Sequence, residues 1–216
     1  MNRQQFVWPN SFWVEVDALH VDWRAPSLPA LALPLAFDIV AAAEREKVLE
    51  MLLHQSRQCN HTAQFGITGA KYVPRVLAEA GYIDDALEFF IQQEEPGWGH
   101  WMNLGATTLW ENWDGTNSHC HVMFGDFAAW AIRYLAGLRY DWEDPGNSKQ
   151  KIRMLFPAKL DQLTMNYRDF TIHWQRSGND ILLKASVAND RPAELLLPDG
   201  KTFHFSRQIE TTFQPD

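Results

Sequence analysis

Hydrophobic positions in the first two thirds of the chain recur at the spacing of helices that bury one face. Residues 28–43 are apolar on nearly all sides, which is typical of a helix buried within an α-barrel or bundle. Glu44 and Glu46 mark the turn into a second helix, and residues 59–69 form a polar, glycine-containing stretch that predicts a loop. The apolar face of the second helix carries Val48, Met51 and Leu52.

Three further helices are predicted before residue 140. The third runs from Tyr72 to Gly81, whose glycine suits the residue that ends a helix. Asp84 and Asp85 favour the positive start of a fourth helix, which closes at Pro96. A fifth helix is predicted from one apolar stripe, formed by Phe124, Phe127, Ala128, Ala131, Leu135 and Leu138.

The period changes from helical to alternating after Tyr140. Turn residues at 144–148 precede positions that alternate in polarity, as in strands with one buried face. Residues 170–174 and 181–187 alternate on either side of a turn, and a second hairpin is predicted around residues 198–200. The pattern divides the chain near residue 145. We expect an unassigned segment 1–26, a helical part 27–143 and a β-sandwich 149–216.

Composition and charge exclude several classes of protein. The 216 residues are 46% hydrophobic, enough for a sizeable core, and carry a formal net charge of −8. That charge argues against nucleic-acid binding, which depends on cationic neutralisation of phosphates. Two prolines and Asp38 interrupt the longest apolar run, so no membrane span is predicted. No signal peptide is evident, and a cytoplasmic location is expected if Met1 is the native start.

The candidate chemistry lies in residues 105–137. Glu111 stands between Trp110 and Trp113, and His121 follows in a predicted loop. This arrangement suits sugar chemistry, because indole faces stack on pyranose C–H surfaces and carboxylates handle hydroxyl and water protons. Spacing alone leaves a second interpretation equally open, in which Glu111 accepts backbone N–H groups at a loop.

These residues resemble a known family. The segment TTLWENWDG, residues 107–115, is similar to the TT-x-WE-x-W-D-G signature of family 78 glycoside hydrolases, the bacterial α-L-rhamnosidases. The segment SHCHVMFGDFAAWAIRYLAG is similar to the S-x-N-H-x-x-x-G helix of that family, and FGITGAKYV to its G-x-x-G-T-x-Y-L motif. The resemblance runs from about Leu31 to Leu138, with several motifs in order at family spacing.

The resemblance implies a fold, a reaction and a set of site residues. Family members are similar in having an (α/α)6 catalytic barrel and a C-terminal β-sandwich. The fold expected here is therefore a partial (α/α)6 barrel, with five helices, followed by a small antiparallel β-sandwich. The implied reaction is inverting hydrolysis of terminal α-L-rhamnosides, with Glu111 as general base. The implied sugar-binding residues are His121, Trp110, Trp113, Trp98 and Asp114.

Some of these assignments have structural alternatives. The tryptophans could serve core packing, and Asp114 could cap a turn before Gly115 instead of orienting a sugar hydroxyl. Cys120 stands where the family motif has asparagine, beside His121. Two cysteines, Cys59 and Cys120, make no disulfide framework.

The general acid of the family has no clear counterpart in the sequence. The acidic motif that supplies it lies upstream of the matched region, and residues 1–26 do not reproduce it. Glu15, Asp17 and Asp22 are candidates by charge only. Three hypotheses follow: a rhamnosidase-like hydrolase that lacks its acid part, a non-catalytic carbohydrate-binding remnant, or one half of a split glycosidase.

The predicted partners are a rhamnose-containing carbohydrate and no nucleic acid or membrane. No cofactor is implied, although some relatives are similar in using calcium near the site. No metal site is expected, since His119, Cys120 and His121 are adjacent and do not converge on one tetrahedral centre. Half a barrel would expose an apolar flank near residues 28–43, so self-association or a partner chain that completes the barrel is predicted.

Overall fold

The computed structural model describes residues 26–139, 150–188 and 190–215. Two compact units divide the chain, Met1–Phe127 and Ala128–Asp216. The first is helical and the second contains β-sheets, which confirms the predicted fold class. The two units divide within the predicted fifth helix, and the turn residues near 145 lie outside the described part. The domain limits drawn from the sequence stay a prediction.

The first helix, α1, spans Leu28–Ala36 and has a capped N-terminus. The side-chain hydroxyl of Ser27 accepts a hydrogen bond from the Ala30 N–H at 3.4 Å, which satisfies one of the unpaired amides of the first turn. The prediction that this helix continues to residue 43 was wrong. Asp38 has a φ of 53°, a left-handed conformation that a right-handed helix cannot include.

Three helices follow a 3₁₀ turn at Ala42–Glu44. They are α2 (Arg45–Gln58), α3 (Ile67–Glu79) and α4 (Ile83–Ile91). Helix α1 packs against α2 and α3, and α3 packs against α4. The loop predicted for residues 59–69 is shorter than expected, because α3 begins within it.

The turn between α3 and α4 has the geometry predicted for Gly81. Gly81 adopts a φ of 92°, which costs glycine little because it has no Cβ. The Tyr82 N–H then donates to the carbonyl of Leu77 at 2.9 Å, and the Gly81 N–H donates to that of Ala78 at 3.2 Å. These two bonds satisfy carbonyls of the last turn of α3 and end the helix.

Asp85, in the first turn of α4, connects three parts of the helical unit. Its carboxylate accepts two hydrogen bonds from the guanidinium of Arg57, at 2.8 and 2.9 Å, and lies 2.9 Å from His61 Nε2. Burial raises the pKa of Asp85, but the bonds and charges of Arg57 and His61 lower it by more. The net pKa of this carboxyl therefore lies below its ordinary value.

After α4, the helices are shorter and more often interrupted by turns than the hydrophobic pattern predicts. A six-residue helix, α5 (Trp98–Asn103), was not predicted, because it is too short to show a helical period. The prediction of a single fifth helix was also wrong. In its place are a 3₁₀ turn (Val122–Gly125), a short helix α6 (Asp126–Trp130) and a π-helical turn (Ala131–Leu135), and Leu138 already lies in a strand.

The described part of the C-terminal unit contains two four-stranded sheets. One sheet is ordered β1 (Leu138–Arg139), β2 (Gln150–Ile152), β6 (Ala193–Leu196) and β7 (Thr202–Phe205). The other is ordered β3 (Gln162–Tyr167), β4 (Phe170–Ser177), β5 (Asp180–Val187) and β8 (Gln208–Phe213). Neighbouring strands are antiparallel, except that β2 and β6 are parallel.

The alternation predicted for β4 and β5 is confirmed. Phe170 is paired with Val187 and Trp174 with Leu183, and all four side chains are buried. The Trp174 indole is fully buried, and its N–H donates to the carbonyl of Leu135 at 3.3 Å. Residues of both sheets meet around this ring and form the core of a β-sandwich. Strands β2, β3 and β8 were not predicted, because their alternation is short or weak.

Exposed apolar side chains occur in the helical unit, although not on α1 itself. Leu31 and Leu35 of α1 are buried, whereas Phe37 and Ile39 just beyond it are exposed. The self-association expected from this flank stays a prediction. Within the described residues, no helix has both the length and the apolar character required to cross a bilayer.

The cluster around Asp85 leads to a stability prediction. Asp85→Asn removes the charge that Arg57 and His61 contact, so we expect the free energy of unfolding at pH 7 to fall by about 1–3 kcal/mol. A carboxyl whose folded pKa is lowered stabilises the fold above its unfolded pKa. The loss should therefore shrink as pH falls below about 4, through the folded pKa of Asp85. Urea denaturation of both proteins across this pH range measures it.

Asp38→Asn is the matched control for this measurement. Asp38 also pairs with an arginine, Arg45, at 2.9 Å, but its side chain is 84% exposed. We expect a change below about 1 kcal/mol, because solvent screens exposed ion pairs. Equal losses in the two variants would show that the Asp85 cluster does not stabilise the helical unit.

Candidate active site

The candidate site lies on the loop between α5 and the 3₁₀ turn at Val122–Gly125. Two backbone hydrogen bonds draw the two sides of this loop together. The Glu111 N–H donates to the carbonyl of Ser118 at 2.8 Å, and the His121 N–H donates to that of Leu109 at 2.7 Å. The Thr108 hydroxyl also donates to the carbonyl of His119. These bonds hold Glu111 and His121 on neighbouring segments, in the way that hydrogen bonds between two antiparallel strands hold residues opposite one another.

The Glu111 carboxylate and the His121 imidazole face one another. Glu111 Oε2 lies 4.0 Å from His121 Nδ1, and it accepts a hydrogen bond from the Ser118 N–H at 3.2 Å. The side chains remain 39% and 29% exposed. The pair is therefore oriented by the loop and open to solvent, so that a water molecule or a hydroxyl can reach both groups.

The predicted wall residues form an aromatic cluster beneath this loop. Trp98 and Trp110 are buried, and Trp113 is half-buried. The Trp113 ring lies 5.0 Å from Trp98 and 4.5 Å from Trp101, measured between ring centroids. Phe124 packs against Trp113 at 4.4 Å. The burial of Trp98 and Trp110 fits the core-packing alternative, and sugar contact by Trp98, Trp110 and Trp113 stays a prediction.

Hydrogen bonds from three indole N–H groups tie this cluster to the backbone. Trp98 donates to the carbonyl of Phe124 at 3.0 Å, and Trp101 donates to that of Trp113 at 2.9 Å. Trp113 donates to the carbonyl of Phe65, just before α3, at 2.9 Å. Buried polar groups cost free energy unless they are paired, so these bonds let the rings pack without that cost. They fix the loop to the helices.

Asp114 stabilises a turn, which was the structural alternative given for this residue in the sequence analysis. Its Oδ1 accepts hydrogen bonds from the Thr116 N–H at 3.0 Å and from the Thr116 hydroxyl at 2.7 Å. These bonds, the backbone one first, lower the pKa of Asp114 below its ordinary value. Its carboxylate therefore stabilises the turn that precedes Ser118. Orientation of a sugar hydroxyl by Asp114 stays a prediction.

His119 and Cys120 differ from His121 in their contacts. The His119 ring stacks on Trp110 at 4.4 Å and 14°, and its Nε2 lies 2.7 Å from the carbonyl of Gly115. Cys120 is exposed, and its N–H donates to the Ser118 hydroxyl at 3.2 Å. Within the described ranges, no three His, Cys, Asp or Glu side chains are grouped to hold a metal ion.

Two residues that orient the pair were missed in the sequence, Thr108 and Ser118. Ser118 contacts Glu111 through its backbone N–H, which the residue type does not predict. The signals available for the two residues were the motifs that contain them, TT for Thr108 and S-x-N-H for Ser118. The acid candidates Glu15, Asp17 and Asp22 lie outside the described residues.

The chain is similar to known glycosidases. Residues 10–135 match the profile of a family described as the bacterial alpha-L-rhamnosidase 6 hairpin glycosidase domain. An alpha-L-rhamnosidase of Formosa agariphila is 25% identical over 184 residues, which cover 77% of this chain and 19% of that protein. The chain thus spans about a fifth of the length of the curated relatives that it matches.

Solved structures show the same fold. The native rhamnosidase of Aspergillus terreus superposes with a TM-score of 0.78 at 24% identity, over 86% of this chain and 24% of that one. The Streptomyces avermitilis alpha-L-rhamnosidase, solved in complex with L-rhamnose, gives 0.76 at 22% identity, over 87% of this chain and 22% of that one. At this identity the likeness is one of fold.

Packing of the loop on Trp110 can be tested at Gly115. Gly115 has a φ of 75°, and an added Cβ would lie 2.7 Å from Cζ3 of Trp110. Since Trp110 is buried and stacked on His119, it cannot swing away. We expect Gly115→Ala to lower the free energy of unfolding by about 2–4 kcal/mol, from backbone strain and overpacking together. Denaturation followed by tryptophan fluorescence measures this.

Gly105→Ala separates the two causes. Gly105 has a φ of 79°, but an added Cβ would meet nothing within 4 Å. Only the backbone cost, about 1–2 kcal/mol, should appear in this variant. Losses of the same size in both variants would mean that the loop does not pack on Trp110 as described.

Proposed function

The chain belongs to the family of bacterial alpha-L-rhamnosidase six-hairpin glycosidase domains, and on that premise we propose that it carries the water-activating side of an inverting α-L-rhamnosidase site. Glu111 is the general base of this proposal. The proposed substrate is a terminal α-L-rhamnoside, the class on which the similar proteins act according to their names. The L-rhamnose bound to the Streptomyces avermitilis enzyme supports the choice of sugar.

One observation carries the proposal: the oriented, solvent-open pair of Glu111 and His121. The two groups are 4.0 Å apart, and the Ser118 N–H holds one carboxylate oxygen. The Glu111 side chain is 39% exposed, so a water molecule can approach the carboxylate. A carboxylate with a fixed direction and access to water is what a general base needs, because proton transfer requires hydrogen-bond contact.

The proposed reaction proceeds by inversion. Glu111 accepts a proton from water while the water oxygen bonds to the anomeric carbon and the glycosidic C–O bond breaks. The leaving oxygen takes a proton from a general acid on the opposite side of the sugar. In inverting enzymes the two carboxyl groups are separated by roughly 6.5–9.5 Å, which leaves room for the water. No described residue is assigned the role of acid.

His121 is proposed to hold the sugar rather than to transfer a proton. Its imidazole lies 4.0 Å from the proposed base and is 29% exposed, so a sugar hydroxyl beside the base can reach it. A hydrogen bond of this kind fixes the position of the sugar relative to the attacking water. Loss of His121 should therefore affect binding as well as turnover.

Hydrolysis of a chromogenic α-L-rhamnoside tests the role of Glu111. Glu111→Gln keeps the size of the side chain but removes its basicity, so we expect kcat to fall by about 10²–10⁴-fold. The control is Glu50→Gln, an exposed carboxylate on α2, which should leave the rate unchanged. Equal hydrolysis by the wild-type chain and Glu111→Gln would reject the proposed base.

Calorimetric titration with L-rhamnose tests the role of His121 separately from catalysis. In the Glu111→Gln background, the added change His121→Ala should weaken binding by about 3–10-fold, the range of one lost hydrogen bond. His54→Ala, on the exposed side of α2, serves as the control. Binding of rhamnose without hydrolysis in the wild-type chain would favour a carbohydrate-binding role instead.

A further inference from the structure

His119 connects the two sides of the Glu111 loop through three separate contacts. Its ring stacks on Trp110, with 4.4 Å between the ring centroids and 14° between the planes. Its Nε2 lies 2.7 Å from the carbonyl oxygen of Gly115, and its own carbonyl accepts a hydrogen bond from the Thr108 hydroxyl. Because a carbonyl only accepts hydrogen bonds, Nε2 carries the proton of the bond to Gly115.

The indole under the His119 ring is fixed in place. Trp110 is only 8% exposed, and its ring centroid lies 5.8 Å from that of Trp101. The main chain at Gly115 lies directly against the same indole, since an added Cβ there would be 2.7 Å from Cζ3. Closely packed rings do not shift without disturbing their neighbours. The exposed His119 side chain therefore rests on a rigid surface.

Ser118 lies inside the turn that His119 closes. The contact between the His119 ring and the Gly115 carbonyl joins the two ends of residues 115–119. Asn117, directly before Ser118, has a φ of 64°, a left-handed conformation that is uncommon for residues other than glycine. Such a conformation persists when the surrounding contacts determine it. The closed turn thus holds the Ser118 backbone in one orientation.

The orientation of Ser118 in turn directs the Glu111 carboxylate. The Ser118 N–H donates to Glu111 Oε2 at 3.2 Å, and the Ser118 carbonyl accepts a hydrogen bond from the Glu111 N–H at 2.8 Å. One residue therefore contacts both the main chain and the side chain of Glu111. A glutamate side chain that is 39% exposed has considerable rotamer freedom, which a fixed backbone donor restricts.

We infer that His119 is a positioning residue for Glu111 and acts on it through the Ser118 N–H. This inference rests on the proposed function, in which Glu111 is the general base. A reacting group is most effective when its position is fixed before the substrate arrives, and a small displacement lowers the rate strongly. His119 holds the segment that holds the base.

Water-exchange NMR of the Ser118 amide tests this role without any substrate. His119→Ala should speed exchange of this amide about 3–10-fold, the range of one lost hydrogen bond. His119→Phe retains an aromatic ring for the stack on Trp110, and His119→Gln retains an N–H donor for the Gly115 carbonyl. Each should therefore recover part of the lost protection. Recovery by neither variant would overturn the role assigned to the ring.

A double-mutant cycle identifies the bond through which His119 acts. Glu111→Ala should speed exchange of the Ser118 amide in the wild-type chain, and much less in the His119→Ala background, where the same bond is already weakened. Independent, additive effects of the two changes would show that His119 does not act through this bond.

Gly105→Ala is the control for a general loss of stability. Gly105 has a φ of 79°, so alanine strains the backbone at a position outside residues 108–121. The exchange rate of the Ser118 amide should remain that of the wild-type chain. Acceleration equal to that in His119→Ala would assign the effect to lower stability and overturn the inference.

Hydrolysis of a chromogenic α-L-rhamnoside gives a second readout. His119→Ala should lower kcat about tenfold and leave KM within about twofold, because the base is displaced and the sugar contacts are kept. A raised KM with unchanged kcat would contradict a positioning role. Absence of hydrolysis by the wild-type chain would count against the proposed function, while the exchange rates of Ser118 would still decide the role of His119.

Discussion

The loop that carries Glu111 depends on the packing of indole rings beneath it. Trp98, Trp101 and Trp113 bury most of their surface against one another and against Phe124. Each of the three indole N–H groups donates to a backbone carbonyl, which lets large rings pack without unpaired donors. This cluster joins the loop to α5 and to the start of α3. A loop without such support would not hold a side chain in one direction.

The same constraint explains the arrangement of the proposed base. Trp110 is buried and stacks on His119, so the loop is anchored on both sides of the turn at Gly115. The backbone bonds between Glu111 and Ser118 and between His121 and Leu109 then bring a carboxylate beside an imidazole. Catalytic groups are effective when their positions are fixed before the substrate arrives. Here rigid packing and solvent access occur within a few residues of one another.

The sheet unit is organised by a different rule. Alternation along β4 and β5 directs Phe170, Trp174 and Leu183 inward, where the two sheets enclose them. Most positions between them are polar and face outward, although Leu182 of β5 is also exposed. At one end, the turn between β3 and β4 places Arg168 beside Tyr167.

Family membership rests on residues 10–135, and it places the matched helices and the WE motif in a shared architecture. The solved structures agree over most of this chain but over only about a quarter of their own length. The chain therefore corresponds to only part of these longer proteins. The proposal for Glu111 concerns that part alone.

Several features were determined by the sequence itself. Gly81 ended a helix because only glycine enters that conformation at low cost, and the period of two predicted β4 and β5 because buried strands alternate by geometry. The roles proposed for Glu111 and His121 come from a motif and stay predictions. The end of α1 at Ala36, the helix at Trp98–Asn103 and the contact of Ser118 with Glu111 were decided only by tertiary structure. The end of α1 follows from the left-handed conformation of Asp38, and the Ser118 contact is made by a backbone N–H; residue type and periodicity encode neither of them.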